Sequence, residues 1–292
     1  MPASSNIGRG TVLVTGSSTG IGEACALYLD KLGFQVFAGV RRDADAEALR
    51  GKATDRLTPV RLDITDSASI AAARSVIETT AAETGLAGLV NNAGVVMPGP
   101  LEFMPLSEFR RQLEVNLVGH LAVTQTFLSL LRRARGRIVN MSSIAGRSAA
   151  PFNGPYAASK FALEAISDAL RMELLPWGIS VSVIEPGSIA TPIWEKSGKT
   201  AGEIARQMPS EARELYGRVY DAMRVAAAKM AGSGAPAIEV AKVVAHALTA
   251  RKPRTRYLVG RDAKIQALLK KILPDRALDR LTLRFLGLPT NS

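Results

Sequence analysis

The sequence predicts an α/β fold in which a doubly wound, parallel, seven-stranded sheet carries helices on both faces. Short apolar runs rich in β-branched residues alternate with longer segments whose apolar residues recur at helical spacing. The short runs are apolar at successive positions, as expected for strands that are buried on both faces. A glycine-rich turn between the first strand and the first helix is typical of nucleotide-binding sheets of this class.

Local signals bound the elements in the first part of the chain. The first strand, T-V-L-V-T, precedes a helix that ends at Gly33, a residue suited to the left-handed C-cap. Asp66 or Ser67 is expected to cap a later helix. The predicted strands are residues 11–15, 35–40, 60–62 and 89–90, and the predicted helices are residues 21–32 and 67–82.

In the second part of the chain the alternation continues and then breaks after Thr191. The helix that carries Tyr156 and Lys160 must end near Pro176, because proline cannot continue a helix, and Pro186 stops the next strand. The predicted strands are residues 137–141, 179–184 and 257–259, and the predicted helices are residues 106–133, 200–230 and 238–250.

Two segments are predicted to be additions to a single domain that spans residues 1–292. Residues 192–235 are expected to form a substrate lid, because their mixed-charge helical pattern interrupts the alternation. Residues 251–292 are expected to form a basic amphipathic extension, which Pro274 divides into two helices.

The composition indicates a reducing compartment. Cys25 is the only cysteine, so an internal disulfide is excluded, and its apolar helical surroundings predict an inert core residue. The N-terminus lacks the basic-then-apolar pattern of a signal peptide, and no apolar run approaches the ~20 residues that span a bilayer. The expectation is a cytoplasmic protein, with peripheral membrane association as a further possibility.

The net charge of +11 is concentrated near the C-terminus. From Arg251 onward there are eleven Lys and Arg against three Asp, a net charge of +8, so the main body is close to neutral. Nucleic-acid binding by the main body is therefore not expected. Binding of nucleic acid by the basic tail is an alternative, which strongly salt-dependent binding of DNA would support. The basic tail has three interpretations: a solvated surface helix, peripheral contact with an anionic membrane, or a contact between subunits.

The turn G-S-S-T-G-I-G predicts a dinucleotide site. The glycines at positions 16, 20 and 22 allow a tight turn and close approach of the backbone to a pyrophosphate, and the following helix offers free N–H groups. A glycine-rich turn without chemistry is the plain alternative. About twenty residues on, Arg41 and Arg42 stand where NAD-binding chains carry an acidic residue, which favours NADP(H) with NAD(H) possible. Asp43 would take the acidic role if the strand ended two residues later.

Tyr156 and Lys160 are predicted to lie on one face of a helix, one turn apart. An ammonium beside a phenol favours the phenolate, so this spacing predicts a lowered tyrosine pKa and an acid/base near neutral pH. On its own the Y-x-x-x-K pattern is a weak signal. An exposed tyrosine and lysine on a surface helix would show the same spacing.

Further motifs in a fixed order give the chain a resemblance to the short-chain dehydrogenase/reductase family, over nearly its whole length. The resembling segments are T-G-S-S-T-G-I-G at 15–22, Asp63-Ile64, N-N-A-G at 91–94, Asn116, Ser143 thirteen residues before Tyr156, Pro186-Gly187 and Thr191. The length and the form of the glycine motif are similar to the single-domain branch of the family. A weaker similarity, in V-F-A-G-V-R-R and L-D-I-T-D, is to hydroxysteroid and retinol dehydrogenases.

The resemblance implies a Rossmann fold and hydride transfer between a nicotinamide and a carbonyl or alcohol. It implies that Tyr156 is the acid/base, that Ser143 holds the substrate oxygen, that Lys160 tunes the tyrosine, and that Asn116 anchors a relay water. Ser142 is a competing serine, and Asn91 and Asn92 could be merely structural. The implied cofactor-binding residues are Gly16, Ser18, Thr19, Gly20, Ile21, Gly22, Arg41, Arg42, Asp63, Ile64, Asn92, Ala93, Gly94, Tyr156, Lys160, Pro186, Gly187, Ile189 and Thr191.

The loops after the strands predict a lipophilic substrate. Their candidate residues are mostly apolar, although each could instead belong to the core. The implied substrate contacts are Val96, Ser143, Phe152, Tyr156 and Trp194. His120 and His246 lie in helical patterns without ligand spacing, so no catalytic metal is expected. The resemblance also implies a homodimer or homotetramer.

Taken together, the sequence predicts an NADP(H)-dependent alcohol dehydrogenase or carbonyl reductase. The alternatives are an NAD-dependent hydroxysteroid or retinol dehydrogenase, a non-catalytic nucleotide-binding protein, and a family member that catalyses dehydration or epimerisation. The presence of Asn, Ser, Tyr and Lys together argues against a pure nucleotide sensor.

Overall fold

The computed structural model describes residues 9–288 and confirms the predicted parallel sheet. The first eight residues and residues 289–292 lie outside the described part of the chain, so the expectation about an N-terminal signal is not addressed there. The strands are Thr11–Val14 (β1), Gln35–Val40 (β2), Leu57–Arg61 (β3), Leu86–Asn91 (β4), Arg137–Met141 (β5), Ser180–Pro186 (β6), Ile189–Ala190 (β7), Ala235–Pro236 (β8) and Arg256–Val259 (β9).

Helices connect the strands. The α-helices are Gly20–Lys31 (α1), Asp43–Arg50 (α2), Ser67–Ala81 (α3), Leu106–Leu113 (α4), Gly119–Ala134 (α5), Gly154–Glu173 (α6), Ile193–Gln207 (α7), Ser210–Ser233 (α8), Ala237–Thr249 (α9), Arg261–Ile272 (α10) and Asp275–Phe285 (α11). Short 3₁₀ turns lie at Leu101–Phe103, Ile144–Gly146 and Leu175–Trp177, and a π-helical turn lies at Glu114–Val118.

The order of the strands determines where a ligand can enter. Seven strands pair in parallel in the order β3-β2-β1-β4-β5-β6-β9, and the two-residue strands β7 and β8 pair with each other. The direction of the winding reverses between β1 and β4. The connections after these two strands therefore run to opposite faces, which leaves a crevice at their carboxyl ends. Strand β3 contains Pro59, which an edge strand tolerates because it lacks a neighbour on one side.

The sheet is buried on both faces. Successive residues of β1 serve opposite faces, since Val12 and Val14 belong to one apolar cluster and Leu13 to the other. Helices α1, α2 and α9 cover the first face, and α3 and α5 cover the second. Cys25 is fully buried in the first cluster, and burial raises the pKa of its thiol to about 12, which makes it the inert core residue that the sequence predicts.

A chain of polar side chains ties the buried ends of the central strands together. The Asn91 amide donates 2.9 Å hydrogen bonds to Thr124 Oγ1 and to Asn140 Oδ1, and Asn140 donates to Ser167 Oγ at 2.8 Å. These bonds join β4, β5, α5 and α6. Asn91 therefore has the structural role that the sequence left open for it.

Several boundaries differ from the predicted ones. Helix α2 has no predicted counterpart, and the long helix predicted at 106–133 is broken by the π-helical turn. The predicted helix at 200–230 begins earlier, at Ile193, and is two helices, because Pro209 interrupts the backbone hydrogen bonding between α7 and α8. Pro274 divides the tail into α10 and α11 as predicted.

Within residues 9–288, no helix combines the length and the apolar character needed to cross a membrane.

Candidate active site

A cavity of about 1760 Å³ runs along the carboxyl ends of the strands. It brings together most of the residues that the sequence predicts for the site. Those that line it are Gly16, Ser18, Thr19, Gly20, Ile21, Gly22, Arg41, Asp63, Ile64, Asn92, Ala93, Gly94, Val96, Ser143, Phe152, Tyr156, Lys160, Pro186, Gly187, Ile189, Thr191 and Trp194. Arg42 and Asn116 do not line it.

The glycine turn has no space for side chains at two of its positions. Gly16 has φ of +66°, and a Cβ there would lie 2.7 Å from the Ala93 Cα. A Cβ on Gly22 would lie 2.2 Å from the Gly16 carbonyl oxygen. Helix α1 begins directly after Thr19, whose side chain does not cap it. The turn therefore directs the positive end of the α1 dipole into the cavity. Because Gly16 and Gly22 have no side chains, the backbone of the turn can approach a ligand closely there.

Asn92 holds this turn in place from the neighbouring strand. Its amide nitrogen donates to the carbonyl oxygens of Thr15 and Gly16 at 3.0 and 3.2 Å. In return, Thr15 Oγ1 accepts hydrogen bonds from the backbone N–H groups of Asn92 and Ala93 at 2.9 and 3.0 Å. Asn92 is thus both a structural tie between β1 and β4 and a wall of the cavity.

The two consecutive arginines after β2 point in different directions. Arg41 lines the cavity, whereas the Arg42 guanidinium makes a two-pronged contact with Asp45, at 2.7 and 2.8 Å, and is exposed. Arg42 does not line the cavity, because Asp45 of α2 holds its guanidinium, and a contact between Arg42 and the cofactor stays a prediction. Strand β2 ends at Val40 as predicted, and Asp43 is exposed outside the cavity, near Arg61.

Asp63 and Ile64 lie at the same end of the cavity as Arg41. The Asp63 carboxylate accepts hydrogen bonds from the Thr65 backbone N–H and hydroxyl, at 3.0 and 2.7 Å. Burial opposes its ionisation, but the bonds from Thr65 and the charge of Arg41 bring the pKa of Asp63 below its usual value. An ionised, fixed acceptor therefore stands near the arginine.

Helix α6 carries Tyr156 and Lys160 into the floor of the cavity. It begins at Gly154, with Pro155 in the first turn, so both side chains project from its first two turns. Lys160 is buried, and its ammonium donates to the Met141 carbonyl oxygen at 2.7 Å and lies 5.6 Å from the centroid of the Tyr156 ring. Ser143 follows the end of β5, and its hydroxyl also lies within reach of the phenol.

The ionisation of this group differs from the sequence prediction. Burial raises the pKa of Tyr156, and the Ser143 hydrogen bond only partly opposes that effect, so the predicted lowering is wrong for the protein alone. Burial also lowers the pKa of Lys160 to about 8, while the charge of Glu164 opposes it. The reason is desolvation, which disfavours both charged forms and which a spacing pattern does not show.

Asn116 lies in the π-helical turn between α4 and α5, a type of irregularity often found at functional sites. Its side chain is fully buried and bonds both backbone groups of Val95, accepting at 2.9 Å and donating at 3.0 Å. It also donates to Ser159 Oγ at 3.2 Å, next to Lys160. The side chain thus fixes the loop after β4 against α6.

Neither histidine has the surroundings of a metal ligand. His120 is buried, its Nε2 lies 2.6 Å from the Ala93 carbonyl oxygen, and burial lowers its pKa to about 3. It is therefore neutral and supports the backbone of the N-N-A-G segment. His246 packs edge-on against Tyr257. Across residues 9–288, no group of three or more His, Cys, Asp or Glu side chains has the arrangement of a metal site.

Behind Lys160 lies a charged cluster that the sequence analysis missed. Glu164 is mostly buried and accepts from Arg256 at 2.9 Å, while the fully buried Glu185 accepts two bonds from Arg147, at 2.6 and 2.8 Å. Arg256 also bonds Asp168 at 2.7 Å. No signal in the sequence links these positions, because they come from four separate segments.

The surroundings of Glu164 shift its pKa and show that the adjacent serines, Ser142 and Ser143, have different neighbours. Burial raises the pKa of Glu164, and the nearby charge of Glu185 adds to this, whereas the Ser142 hydroxyl and Arg256 oppose it. Ser142 lies against Glu164, while Ser143 faces Tyr156. The structure therefore favours Ser143 over its neighbour as the serine that meets a ligand beside the phenol.

The other end of the cavity is largely apolar and aromatic. Phe152 adopts an unusual left-handed backbone conformation, with φ of 64°, and packs its ring against Tyr216 and Tyr220 of α8. Tyr216 also donates to Glu102 at 2.7 Å. These contacts hold α8 over the cavity. The tail contributes a further wall, formed by Ile265, Leu269, Leu278, Leu281 and Phe285.

The chain is similar to known dehydrogenases in sequence and in structure. Residues 10–202 match the family model described as short chain dehydrogenase. Retinol dehydrogenase 5 from Mus musculus is 40% identical over 287 residues, covering 96% of this chain and 90% of that protein. The 17-beta-hydroxysteroid dehydrogenase type 6 from Bos taurus is 39% identical over 278 residues, covering 94% and 87% respectively.

Among solved structures, a short chain dehydrogenase from Burkholderia cenocepacia J2315 in complex with NADP has a TM-score of 0.71 at 25% identity and covers 97% of this chain and 99% of its own. Three lines of evidence thus agree: the family model, the sequence relatives and the sheet with its glycine turn. The chain belongs to the short-chain dehydrogenase family and is an oxidoreductase of the class that acts on CH–OH groups.

Proposed function

We propose that the protein interconverts a lipophilic ketone or aldehyde and its alcohol by hydride transfer, with NADP(H) as the preferred cofactor, NAD(H) as a possible one, and Tyr156 as the acid and base. One observation carries the proposal. A single cavity contains the glycine turn at one end, the Tyr156 phenol in its floor and an apolar wall at the other end. The relatives named for retinol and 17-beta-hydroxysteroids support a lipophilic substrate.

The residues present fit a dinucleotide. A pyrophosphate suits the glycine turn, because Gly16 and Gly22 leave the backbone bare and no side chain caps the start of α1. Helix N-termini favour such anions. Asp63 and Ile64 would meet the adenosine end, and Ile189 and Thr191 the nicotinamide end. When bound, the nicotinamide supplies the hydride chemistry. The Lys160 ammonium would hold the adjacent ribose by hydrogen bonding.

The chain's own residues would manage the proton. In the reducing direction the Tyr156 phenol donates its proton to the substrate oxygen, and the Ser143 hydroxyl holds that oxygen by a hydrogen bond. The raised pKa of Tyr156 keeps the phenol protonated at neutral pH, which suits this direction. Lys160 would stabilise the phenolate that remains, and Asn116 would position the helix that carries both.

Replacing Tyr156 with Phe should lower kcat by at least about 100-fold, because general acid–base catalysis commonly contributes that much. NADPH affinity should stay within about twofold of wild type. The measurements are steady-state rates with a panel of steroid, retinoid and aliphatic carbonyls, and a fluorescence titration with NADPH. Tyr28→Phe, on α1 outside the cavity, is the control. A Tyr156→Phe variant that retained more than a few per cent of kcat would refute the acid/base role.

Glu164→Gln should shift the alkaline limb of the kcat profile for ketone reduction to lower pH, by roughly half a pH unit or more. Lys160 is charged below its pKa of about 8, and the Glu164 charge opposes the lowering that burial causes. Removing that charge therefore lets Lys160 lose its proton at a lower pH.

Asp168→Asn is the matched control for this shift, because it also removes a carboxylate partner of Arg256 but is not among the groups that act on Lys160. An alkaline limb that is unchanged in Glu164→Gln, or one that moves equally in both variants, would contradict the proposed coupling.

Arg41→Ala should reduce kcat/KM for NADPH by about tenfold and leave kcat/KM for NADH nearly unchanged, since a guanidinium recognises a 2′-phosphate by a charge-assisted contact. Arg41 lines the cavity and Arg42 is held by Asp45. The exposed Arg50 offers the control substitution Arg50→Ala. Equal losses for the two cofactors would show that Arg41 does not read the 2′-phosphate and would favour the NAD-dependent alternative.

We further propose that α7 and α8 act as the substrate lid and that the tail touches an anionic membrane beside the cavity. Ile265 and Phe285 line the cavity and are still 58% and 69% exposed, so its wall continues to the surface. Leu268 and Ile272 of α10 are exposed nearby, among the basic residues of the tail. Apolar side chains among lysines and arginines suit an anionic lipid surface. A homodimer or homotetramer and a cytoplasmic location stay predictions.

In a sedimentation assay the protein should pellet with vesicles that contain phosphatidylserine, and much less with pure phosphatidylcholine vesicles or at high salt. The double variant Leu268→Ser/Ile272→Ser should lose most of this binding, whereas Val225→Ser, at an exposed apolar position of α8, should keep it. Protein that remains in the supernatant with both kinds of vesicle would support the solvated-surface interpretation instead.

A further inference from the structure

Helix α7 reaches back from the substrate end of the cavity to the glycine turn. The Lys196 ammonium donates to Thr19 Oγ1 at 3.0 Å, across 177 positions of the sequence. Lys196, Thr19 and Arg41 all line the cavity. A residue of the proposed lid therefore stands at the end where the nucleotide would bind, far along the chain from the motifs that mark that end.

The electrostatics at this point favour an additional anion. Thr19 immediately precedes α1, so the Lys196 ammonium lies beside the positive end of a helix dipole, an unfavourable position for a cation. Arg41 adds a further positive charge. The Asp45 carboxylate interacts with both Lys196 and Arg41, but Arg42 already holds its two oxygens. The Glu195 carboxylate also interacts with Lys196 and is paired with Lys199 at 2.7 Å. An anion between the helix end and the ammonium would offset this surplus of positive charge.

We propose that Lys196 binds the pyrophosphate of the dinucleotide and thereby fixes helix α7 over the cavity. The proposal rests on the proposed function, because it takes the dinucleotide from there. The pyrophosphate is chosen over the 2′-phosphate because the partner of Lys196 is Thr19, at the helix N-terminus where pyrophosphates lie in this type of sheet.

The contact would connect the cofactor to the substrate chamber. Trp194, two residues before Lys196, donates its indole N–H to the Ile189 carbonyl oxygen at 2.8 Å and lines the cavity. At the far end of the proposed lid, Tyr216 and Tyr220 pack against Phe152. Aromatic contacts thus hold α8, and Trp194 holds the start of α7. The link from α7 to the glycine turn is the exposed Lys196–Thr19 hydrogen bond, which a bound phosphate would strengthen.

The test compares Lys196→Met with Lys196→Arg and with Lys199→Met. Lys199 lies three residues further along α7, pairs with Glu195 at 2.7 Å and does not line the cavity, so it is a matched control. Dissociation constants are measured by calorimetry for NADPH, NADH, ADP-ribose and adenosine 2′-monophosphate, at low and high salt. Melting temperatures check that each variant is folded.

Lys196→Met should weaken NADPH, NADH and ADP-ribose by about tenfold at low salt and less at high salt, because a charge-assisted hydrogen bond is lost. Adenosine 2′-monophosphate, which has no pyrophosphate, should bind equally well. Lys196→Arg should retain most of the affinity, and Lys199→Met should match wild type. ADP-ribose should also protect α7 of the wild type from limited proteolysis, and should fail to protect Lys196→Met.

Equal affinity of Lys196→Met and wild type for ADP-ribose would overturn the inference. A loss confined to NADPH and adenosine 2′-monophosphate would also overturn it, since the lysine would then bind the 2′-phosphate. A wild-type protein that binds none of the dinucleotides would instead overturn the proposed function, and the inference with it.

Discussion

A buried ammonium at the carboxyl end of β5 is the feature on which the rest of the site depends. Lys160 is removed from water, so its charge must be compensated within the protein. The Met141 carbonyl oxygen accepts its hydrogen bond, and the Glu164 carboxylate lies one turn further along α6. Glu164 is buried in turn and needs Arg256, which strand β9 supplies. The position of one lysine thereby links the C-terminal strand of the sheet to the floor of the cavity.

The two ends of the cavity differ in character, which suits the two kinds of ligand proposed for it. The strand order places the glycine turn and the Asn92 segment on either side of the crevice, where charge and free N–H groups suit phosphates. The elements added after β6, namely α7, α8 and the two tail helices, close the other end with apolar side chains. Tyr156 lies between the two environments. A polar end fixed by the sheet and an apolar end built from later segments suit the proposed hydride transfer to a lipophilic carbonyl.

Much of the fold and of the candidate site was predictable, because the informative signals are short and local. The glycine turn, the spacing of Tyr156 from Lys160 and from Ser143, and the alternation of strands with helices can all be seen in contiguous stretches of the sequence. Contacts between distant segments gave no such signal, as with Glu185 and Arg147 or Lys196 and Thr19. The contact of Arg42 with Asp45 was not predictable, because Asp45 belongs to α2, a helix that the apolar pattern did not reveal. The pKa of Tyr156 was misjudged because burial is a property of the folded chain.

The central claim is that the cavity brings a dinucleotide and a lipophilic carbonyl together above Tyr156. A single-turnover experiment tests it most directly. The protein is mixed with retinoid or steroid carbonyls and with NADPH that carries deuterium at the transferable C4 position. The account predicts that deuterium appears on the carbinol carbon of the product, in the same amount as the NADPH oxidised. Tight NADPH binding with no deuterium in any product across the panel would contradict it.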